Sequence, residues 1–552
     1  MVLHRNRLLL VLLLWLLLTG ININKAYHID DAFHLEAALW IKDHTASPMS
    51  GLINWKDTPT PLYTHNQPPL FFFLLAQVIK VTGTGEIPLH LFLSVFTLLA
   101  LFLFNKLTEV LKLSNGSFLL LLFAFNPALV VNQNLMTDVP LLTSVLASAL
   151  FLLKAGESNK TRNYFLSALV VGLGLMIKYS VLPLLVVIAL IIAFRRDFRY
   201  LWVLAVPLGM LALWSVWNLA EFGSVHFLDR PRSSFHINRV WSVISVTGAL
   251  VVFSFSLIHI HRFRTWFRFI LFGLFAAFLV LIPVVLAVQP TQPGISFIFN
   301  MLFEINGLIV VFSLTSMLIS GIRRKGLATY FKTTDLVVVL YILSTGAFIL
   351  LFAPFMATRH ILLILPFILL FAAPVIETAG RAMNRTSLAI TIALGLLLGV
   401  SDYMFAGFYR KTASQFVPSG EAAIWSAGHW GWQWYTSQNG VKQYESGTTA
   451  VKKGDLFIYP AKVAKQEFKE ILVLDTIQKI YDKGNAFTFF SGNYKASFYS
   501  SAVRVAPWCY SLRPIDTIYV CRVTANHGTV KQAIRPALWE QSHRQTVNGN
   551  IP

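Results

Sequence analysis

The chain has 552 residues, of which 56% are hydrophobic, 14% aromatic and only 13% charged, with a mean hydropathy of +0.63. That much apolar surface exceeds what one soluble core can bury, so the composition excludes a soluble domain and points to a membrane protein. The formal charge of +20 invites a nucleic-acid reading, but the basic residues are dealt out between apolar segments rather than gathered into a stripe with interleaved aromatics, which argues against nucleic acid. Two cysteines are too few for a disulfide framework or a Cys-rich metal site.

Residues 8–18 form an unbroken apolar run behind His4, Arg5 and Arg7. No small-x-small cleavage site follows, because Gly20-Ile21-Asn22 leads straight into polar chain, so a retained first span is expected. Residues 22–85 then form a first loop. It is polar to Asn66, after which Pro68-Pro69 opens an apolar stretch to Lys80; this is short for a span and is predicted as a helix lying in the membrane interface. Stretches of spanning length follow at about 86–105, 117–135, 137–154, 163–178, 179–194, 200–220, 241–261, 269–289, 297–320, 334–354, 360–378 and 387–405. Pro127, Pro207, Pro283 and Pro366 interrupt several of them, which neighbouring helices accommodate. The expected fold is an α-helical polytopic membrane protein of about thirteen transmembrane helices over residues 1–405.

With Arg5 and Arg7 in the cytoplasm and sides alternating, 19 of the 28 basic residues up to position 405 fall inside, as the positive-inside rule requires. An odd span count then places residues 406–552 outside the cytoplasm, a segment large enough for its own domain. Its runs 456–459, 471–474 and 517–521 read as short strands and 422–438 as an aromatic amphipathic helix, so a small α/β domain is expected. Cys509 and Cys521 within it either pair or stay free. The sequons at Asn115, Asn159 and Asn384 all fall in expected cytoplasmic loops. No tandem repeat or low-complexity tract is present.

The acidic residues show the opposite bias, with Asp30, Asp31, Glu36, Asp43, Asp57, Glu86, Asp138, Glu221 and Asp229 all on the outer side of this topology. Four constellations there carry candidate chemistry. Asp30-Asp31, just beyond the first span, is either a helix cap or an acid/base group. Asp138, at the border of two apolar helices, has the same two readings. Lys178 and Arg359 break the positive-inside pattern; each either snorkels or binds a phosphate headgroup, for which the planar fork of Arg359 suits two-point contact. His360 follows Arg359, and Glu221, His226 and Glu304 complete the outward set. Glu304 alone reads as lying inside an apolar span, where an ionisable group is functional by default. Carboxylates and phosphate-binding cations at one membrane face suggest transfer chemistry on a lipid phosphate.

These residues sit in recognisable surroundings: Asp30-Asp31-Ala32-Phe33, His65-Asn66-Gln67-Pro68-Pro69, Leu135-Met136-Thr137-Asp138-Val139-Pro140, Gly172 to Lys178-Tyr179-Ser180, Glu221-Phe222-Gly223, Thr358-Arg359-His360 ahead of Pro366, and Gly428-His429-Trp430-Gly431-Trp432. In this order they resemble the C-type (GT-C) membrane glycosyltransferases, in particular the bacterial family related to protein O-mannosyltransferases and the aminoarabinose transferase of lipid A. The resemblance implies a GT-C fold in a bacterial inner membrane, with the catalytic face extracytoplasmic. The implied reaction is inverting transfer of a sugar from a polyprenyl-phosphate donor to a lipid, glycan or protein hydroxyl. Asp30 would be the catalytic base, Asp138 a carboxylate positioning acceptor or donor, and Lys178 and Arg359 the donor-phosphate ligands. Asp31, His65, Glu221, His226, Glu304 and His360 remain substrate-binding candidates.

The chain departs from the family pattern in two places: members commonly carry Asp-Glu where this chain has Asp30-Asp31, and Arg-Tyr where it has Arg359-His360. Some relatives bind a divalent metal; here His65, His226 and Glu221 are the candidate ligands, against the alternative that they face solvent. A rival reading is a transporter or flippase of a polyprenyl-linked or anionic lipid, which expects ionisable groups deep in several spans and internal symmetry. A third is a non-catalytic scaffold. Trp430, Trp432 and Trp434 either stack on sugar rings or pack the C-terminal segment on the membrane interface.

Overall fold

The computed structural model describes residues 2–529 except 66, 231–234, 258–291, 354, 420–421, 448–449, 469, 485–486, 491–497, 501–504 and 512–513. Among the described residues, six helices are long and apolar enough to cross a membrane: Glu86–Val110, Asp138–Ala155, Phe198–Phe222, Gly294–Lys325, Thr334–Leu351 and Arg381–Ala413. Shorter apolar helices at Asn6–Asn22, Leu70–Thr82, Tyr179–Phe194 and Leu365–Thr378 pack with them. The span expected at 269–289 lies outside the described residues.

Proline and asparagine account for several of the shortened helices. The stretch expected as one helix at 117–135 is broken into Gly116–Ala124 and Pro127–Val131. The break sits at Asn126, whose side chain caps the second piece by accepting from the Ala128 N–H at 3.0 Å, with Pro127 preset in the first turn. The stretch at 360–378 likewise splits into Thr358–Leu362 and Leu365–Thr378, the latter with Pro366 in its first turn. Small residues then let backbones meet. A Cβ on Gly248 would stand 1.8 Å from the Phe303 carbonyl oxygen, and one on Gly307 would stand 2.0 Å from that of Ile244. Helices Ile237–Leu250 and Gln292–Lys325 therefore touch along a glycine seam. Hydroxyls add interhelical bonds: Tyr341 donates to Ser148 at 2.7 Å, and Ser148 meets Ser167 at 2.8 Å.

The first loop folds onto this bundle. Helices Asp31–Asp43 and Leu70–Thr82 pack together, burying Phe33, Leu35, Phe71, Phe72 and Leu75. At 13 residues the second is about 20 Å long, too short to span. Between them a two-stranded ribbon pairs β1 (Leu52–Ile53) with β2 (Thr60–Pro61).

The C-terminal segment begins later than expected, because helix Arg381–Ala413 continues unbroken past 405. It carries β3 (Ile424–Ser426), β4 (Lys442–Gln443), β5 (Leu456–Pro460), β6 (Glu470–Tyr481) and β7 (Thr517–Thr529) in one sheet of order β4-β3-β5-β7-β6. β3 runs parallel to β4 and β5, and β7 runs antiparallel to β5 and β6. All three expected strands are present, but the helix expected over 422–438 is not continuous. Its first part is β3, and left-handed backbone at Gly428 (φ +123) and Trp430 (φ +63) separates this from a helix at Trp430–Gln438. Strand alternation makes the sheet two-sided. Ile458, Ile518 and Val520 join the main core, whereas Phe457, Cys521 and Val523 pack in a small separate cluster with Tyr444. The segment is thereby fused to the helical body through one face of its sheet. Cys509 and Cys521 are both buried, and no disulfide joins them.

Candidate active site

Four of the residues singled out in the sequence converge at one end of the bundle. Asp30 precedes helix Asp31–Asp43 at its N-cap position but makes no side-chain capping bond. Its carboxylate instead accepts from Arg359 Nη1 at 2.9 Å. Asp138 opens helix Asp138–Ala155 and accepts from Lys178 Nζ at 2.9 Å. Arg359 Nε lies 3.9 Å from the second oxygen of Asp138, so its guanidinium stands between both carboxylates. Lys178 follows helix Lys160–Leu175 in a tight turn closed by its own N–H donating to the Gly174 carbonyl at 2.8 Å. Thr358, next to Arg359, is tied to the C-terminal segment, its N–H and hydroxyl both donating to the Phe498 carbonyl at 3.1 and 2.9 Å.

Side-chain exposure is 17% for Lys178, 7% for Arg359 and 3% for Asp138. The two cations are ion-paired inside the protein rather than snorkelling to water, and Asp30 serves an arginine rather than a helix end. With two positive and two negative charges the cluster is neutral overall, the condition under which buried charges are tolerated.

Asp30, Lys178, Arg359 and His360 line a cavity of about 300 Å³ together with Trp55, His65, Gln67, Tyr179 and Arg230. The lining also has an apolar part: Phe348 and Ile349 at the end of helix Thr334–Leu351, Phe352 just beyond it, and Phe355 and Leu363. Phe355 also lies under the Arg359 guanidinium, 5.4 Å from ring centre to Cζ. One cavity thus combines charged and apolar lining.

The histidines around it are neutral supports. Burial, with help from Lys56 and Arg230, pulls His65 down to about 4. Burial and the nearby Arg230 take His226 down to about 3. His226 Nε2 therefore donates to the His65 carbonyl at 2.7 Å while Nδ1 accepts from the Tyr179 hydroxyl at 2.7 Å. This braces Tyr179, next in the chain to Lys178. Arg230 bonds the same carbonyl at 2.7 Å. His34, whose pKa is lowered by burial, meets the Gln67 side-chain oxygen at 2.8 Å and orients that amide.

Other candidates lie elsewhere. Glu221 is exposed and accepts from Ser50 at 2.8 Å, and Glu304 accepts from Asn300 within its own helix at 2.8 Å; neither lines the cavity. Asp31 is buried behind it. Glu221, His65 and His226 do not converge, and among the described residues no group of three or more His, Cys, Asp or Glu is arranged to hold a metal. The reading of Glu304 as the only ionisable group deep in a span does not hold: Asp402, in helix Arg381–Ala413, is completely buried. An acidic residue inside that apolar run was the signal for it. Arg230, Gln67 and Tyr179 carried no such signal, since polar residues in loops are ordinarily solvated.

Residues 66–218, which include Asp138 and Lys178, match the family described as dolichyl-phosphate-mannose-protein mannosyltransferase. No curated protein matches the chain in sequence. Among solved structures, ArnT from Cupriavidus metallidurans bound to undecaprenyl phosphate is 12% identical, with a TM-score of 0.38 over 97% of this chain and 99% of that one. The archaeal oligosaccharyltransferase AglB from Archaeoglobus fulgidus, in complex with an inhibitory peptide and a dolichol-phosphate, is 9% identical, with a TM-score of 0.45 over 82% of this chain and 69% of that one. The arabinofuranosyltransferase AftD from Mycobacteria is 13% identical, with a TM-score of 0.40 over 95% of this chain and 40% of that one. Through the family match over residues 66–218, the resemblance to GT-C membrane glycosyltransferases read from the motifs is borne out.

Proposed function

We propose that the chain is an inverting glycosyltransferase that moves a sugar from a polyprenyl-phosphate donor to a hydroxyl of an envelope lipid, glycan or protein. In this reading it works at the extracytoplasmic face of a bacterial inner membrane. The observation that carries it is one cavity whose lining combines the charged groups of Asp30, Lys178 and Arg359 with the apolar side chains of Phe348, Ile349, Phe352 and Phe355. A lipid phosphate has the same combination, an anion on a hydrocarbon chain. The matched family's description names a donor of this class.

The donor phosphate takes Lys178 and Arg359 as its partners, displacing part of their pairing with Asp138 and Asp30. Freed from Arg359, Asp30 accepts the proton of the acceptor hydroxyl as that oxygen attacks the anomeric carbon from the face opposite the phosphate. The carbon–oxygen bond to phosphate breaks, and its electron pair leaves on the polyprenyl phosphate. That leaving group is already acidic, so no strong general acid is needed. Negative charge grows on the phosphate along the reaction, and the two cations stabilise it most where it is greatest. Asp138 holds Lys178 and Arg359 in register for this.

The test is release of labelled polyprenyl phosphate from a panel of undecaprenyl-phosphate sugars, with envelope extract as acceptor, by wild type and Asp30→Asn. Turnover in the wild type and a loss of about a hundredfold in the variant are expected. An active wild type matched by a folded Asp30→Asn would remove Asp30 from the mechanism. A wild type silent with every donor would favour lipid translocation instead.

A further inference from the structure

Ile29 stands between His28 and Asp30 with φ +52. A β-branched residue enters this left-handed region only when its surroundings impose it. Two sets of contacts do so here. Ahead of the turn, Asp30 is bound to Arg359. Behind it, four buried ionisable side chains meet. Lys25 pairs with Asp402 and donates to the Val131 carbonyl at 3.0 Å. His28 Nε2 is 3.2 Å from Asp402 and its Nδ1 is 3.7 Å from Asp31. Asp31 closes the turn by accepting from the His28 N–H at 3.0 Å. Tyr499, from the C-terminal segment, donates to Asp402 at 2.9 Å and accepts from Asn134 at 3.0 Å.

Burial alone would lower the His28 pKa, but the Asp402 and Asp31 carboxylates outweigh it and raise it. None of the four lines the cavity, and none is placed to touch a substrate. A buried ion cluster adds little stability over apolar packing of the same volume, because desolvation offsets attraction; what such a cluster can specify is one arrangement of the chain. Here the arrangement includes a strained residue next to a cavity carboxylate.

We propose that Asp402, acting through His28, is a positioning residue that holds the left-handed turn at Ile29 and so points the Asp30 carboxylate at Arg359. The inference rests on the reading of Asp30 as the base, although its first readout does not. In the full-length protein, hydrogen exchange of peptides spanning 27–34 rises about tenfold in Asp402→Asn, while peptides of helix Asp138–Ala155 keep their wild-type rates. In the same variant kcat falls about tenfold while KM for the undecaprenyl-phosphate sugar stays within about threefold, because Lys178 and Arg359 remain. Adding Ile29→Gly restores kcat to within about threefold of wild type, since glycine takes the left-handed turn without a clamp. A purely structural role for Asp402 would not be rescued at Ile29. If Asp402→Asn fails to fold, Tyr499→Phe, which removes one hydrogen bond from Asp402, carries the same readouts at about threefold. Unchanged exchange over 27–34 in a folded variant, or no rescue by Ile29→Gly, overturns the proposal. An active Asp30→Asn overturns the base assignment alone and leaves the exchange result to decide on the turn.

Discussion

Replacing Arg359 by lysine separates charge from shape at the centre of the site. The guanidinium reaches Asp30 at 2.9 Å through Nη1 and Asp138 at 3.9 Å through Nε, and it would hold phosphate with the same fork. An ammonium keeps the charge but cannot hold both directions at once. One charge-assisted hydrogen bond is worth roughly 1.5–3 kcal/mol, and about 1.4 kcal/mol is tenfold in rate, so kcat/KM is expected to fall about tenfold to a hundredfold. The fold should survive, because Asp30 keeps a cation. Arg359→Ala, by contrast, leaves Asp30 without one and should cost about 3 kcal/mol of stability, the lower end of the range for broken buried pairs because Asp30 is partly exposed. The assay is polyprenyl-phosphate release, with thermal unfolding in detergent run alongside. Because Arg359 and Asp30 act as a unit, Arg359→Lys combined with Asp30→Asn should lose little more than Asp30→Asn alone. Wild-type kcat/KM in Arg359→Lys, or fully additive losses in the double variant, would refute this account of the fork.

Two further expectations concern contacts between the first loop and the C-terminal segment. A Cβ at Gly431 would lie 2.0 Å from the Tyr27 carbonyl oxygen. Gly431→Ala must therefore push backbone apart and lower stability by about 1–3 kcal/mol, read as an earlier melt; a melt at the wild-type temperature would show that the contact yields freely. Glu36 accepts from Gln433 at 2.5 Å, and burial lifts its carboxyl to about 7 against the pull of its hydrogen bonds from Gln433 and Asn54. The folded pKa lies above the unfolded value of about 4.3, so this group's contribution is full below the unfolded value and is lost as pH rises through about 7. Glu36→Gln should flatten the melting temperature between about pH 5 and pH 8, and an unaltered profile would assign that dependence elsewhere.

Much of the architecture follows from local pattern. Apolar runs of spanning length, the prolines that shorten them and the charges between them are properties of short windows, and they suffice for a helical membrane protein. The short apolar runs at 456–459, 471–474 and 517–521 are legible for the same reason and lie within the strands Leu456–Pro460, Glu470–Tyr481 and Thr517–Thr529. The helix expected over 422–438 failed at Gly428 and Trp430, because aromatic periodicity does not reveal where the backbone turns left-handed.

The sequence by itself determined which residues are chemically out of place: carboxylates at Asp30 and Asp138, and cations at Lys178 and Arg359, each at the edge of an apolar segment where bearing a charge is costly. That cost is a local property and can be read one residue at a time. Only the tertiary structure decided their partners. Arg359 meets Asp30 across more than three hundred residues of chain, and Asp402 and Tyr499 reach His28 from still later in it. Pairing of this kind depends on which helix ends the packed bundle brings together, and a single sequence carries no record of that distance.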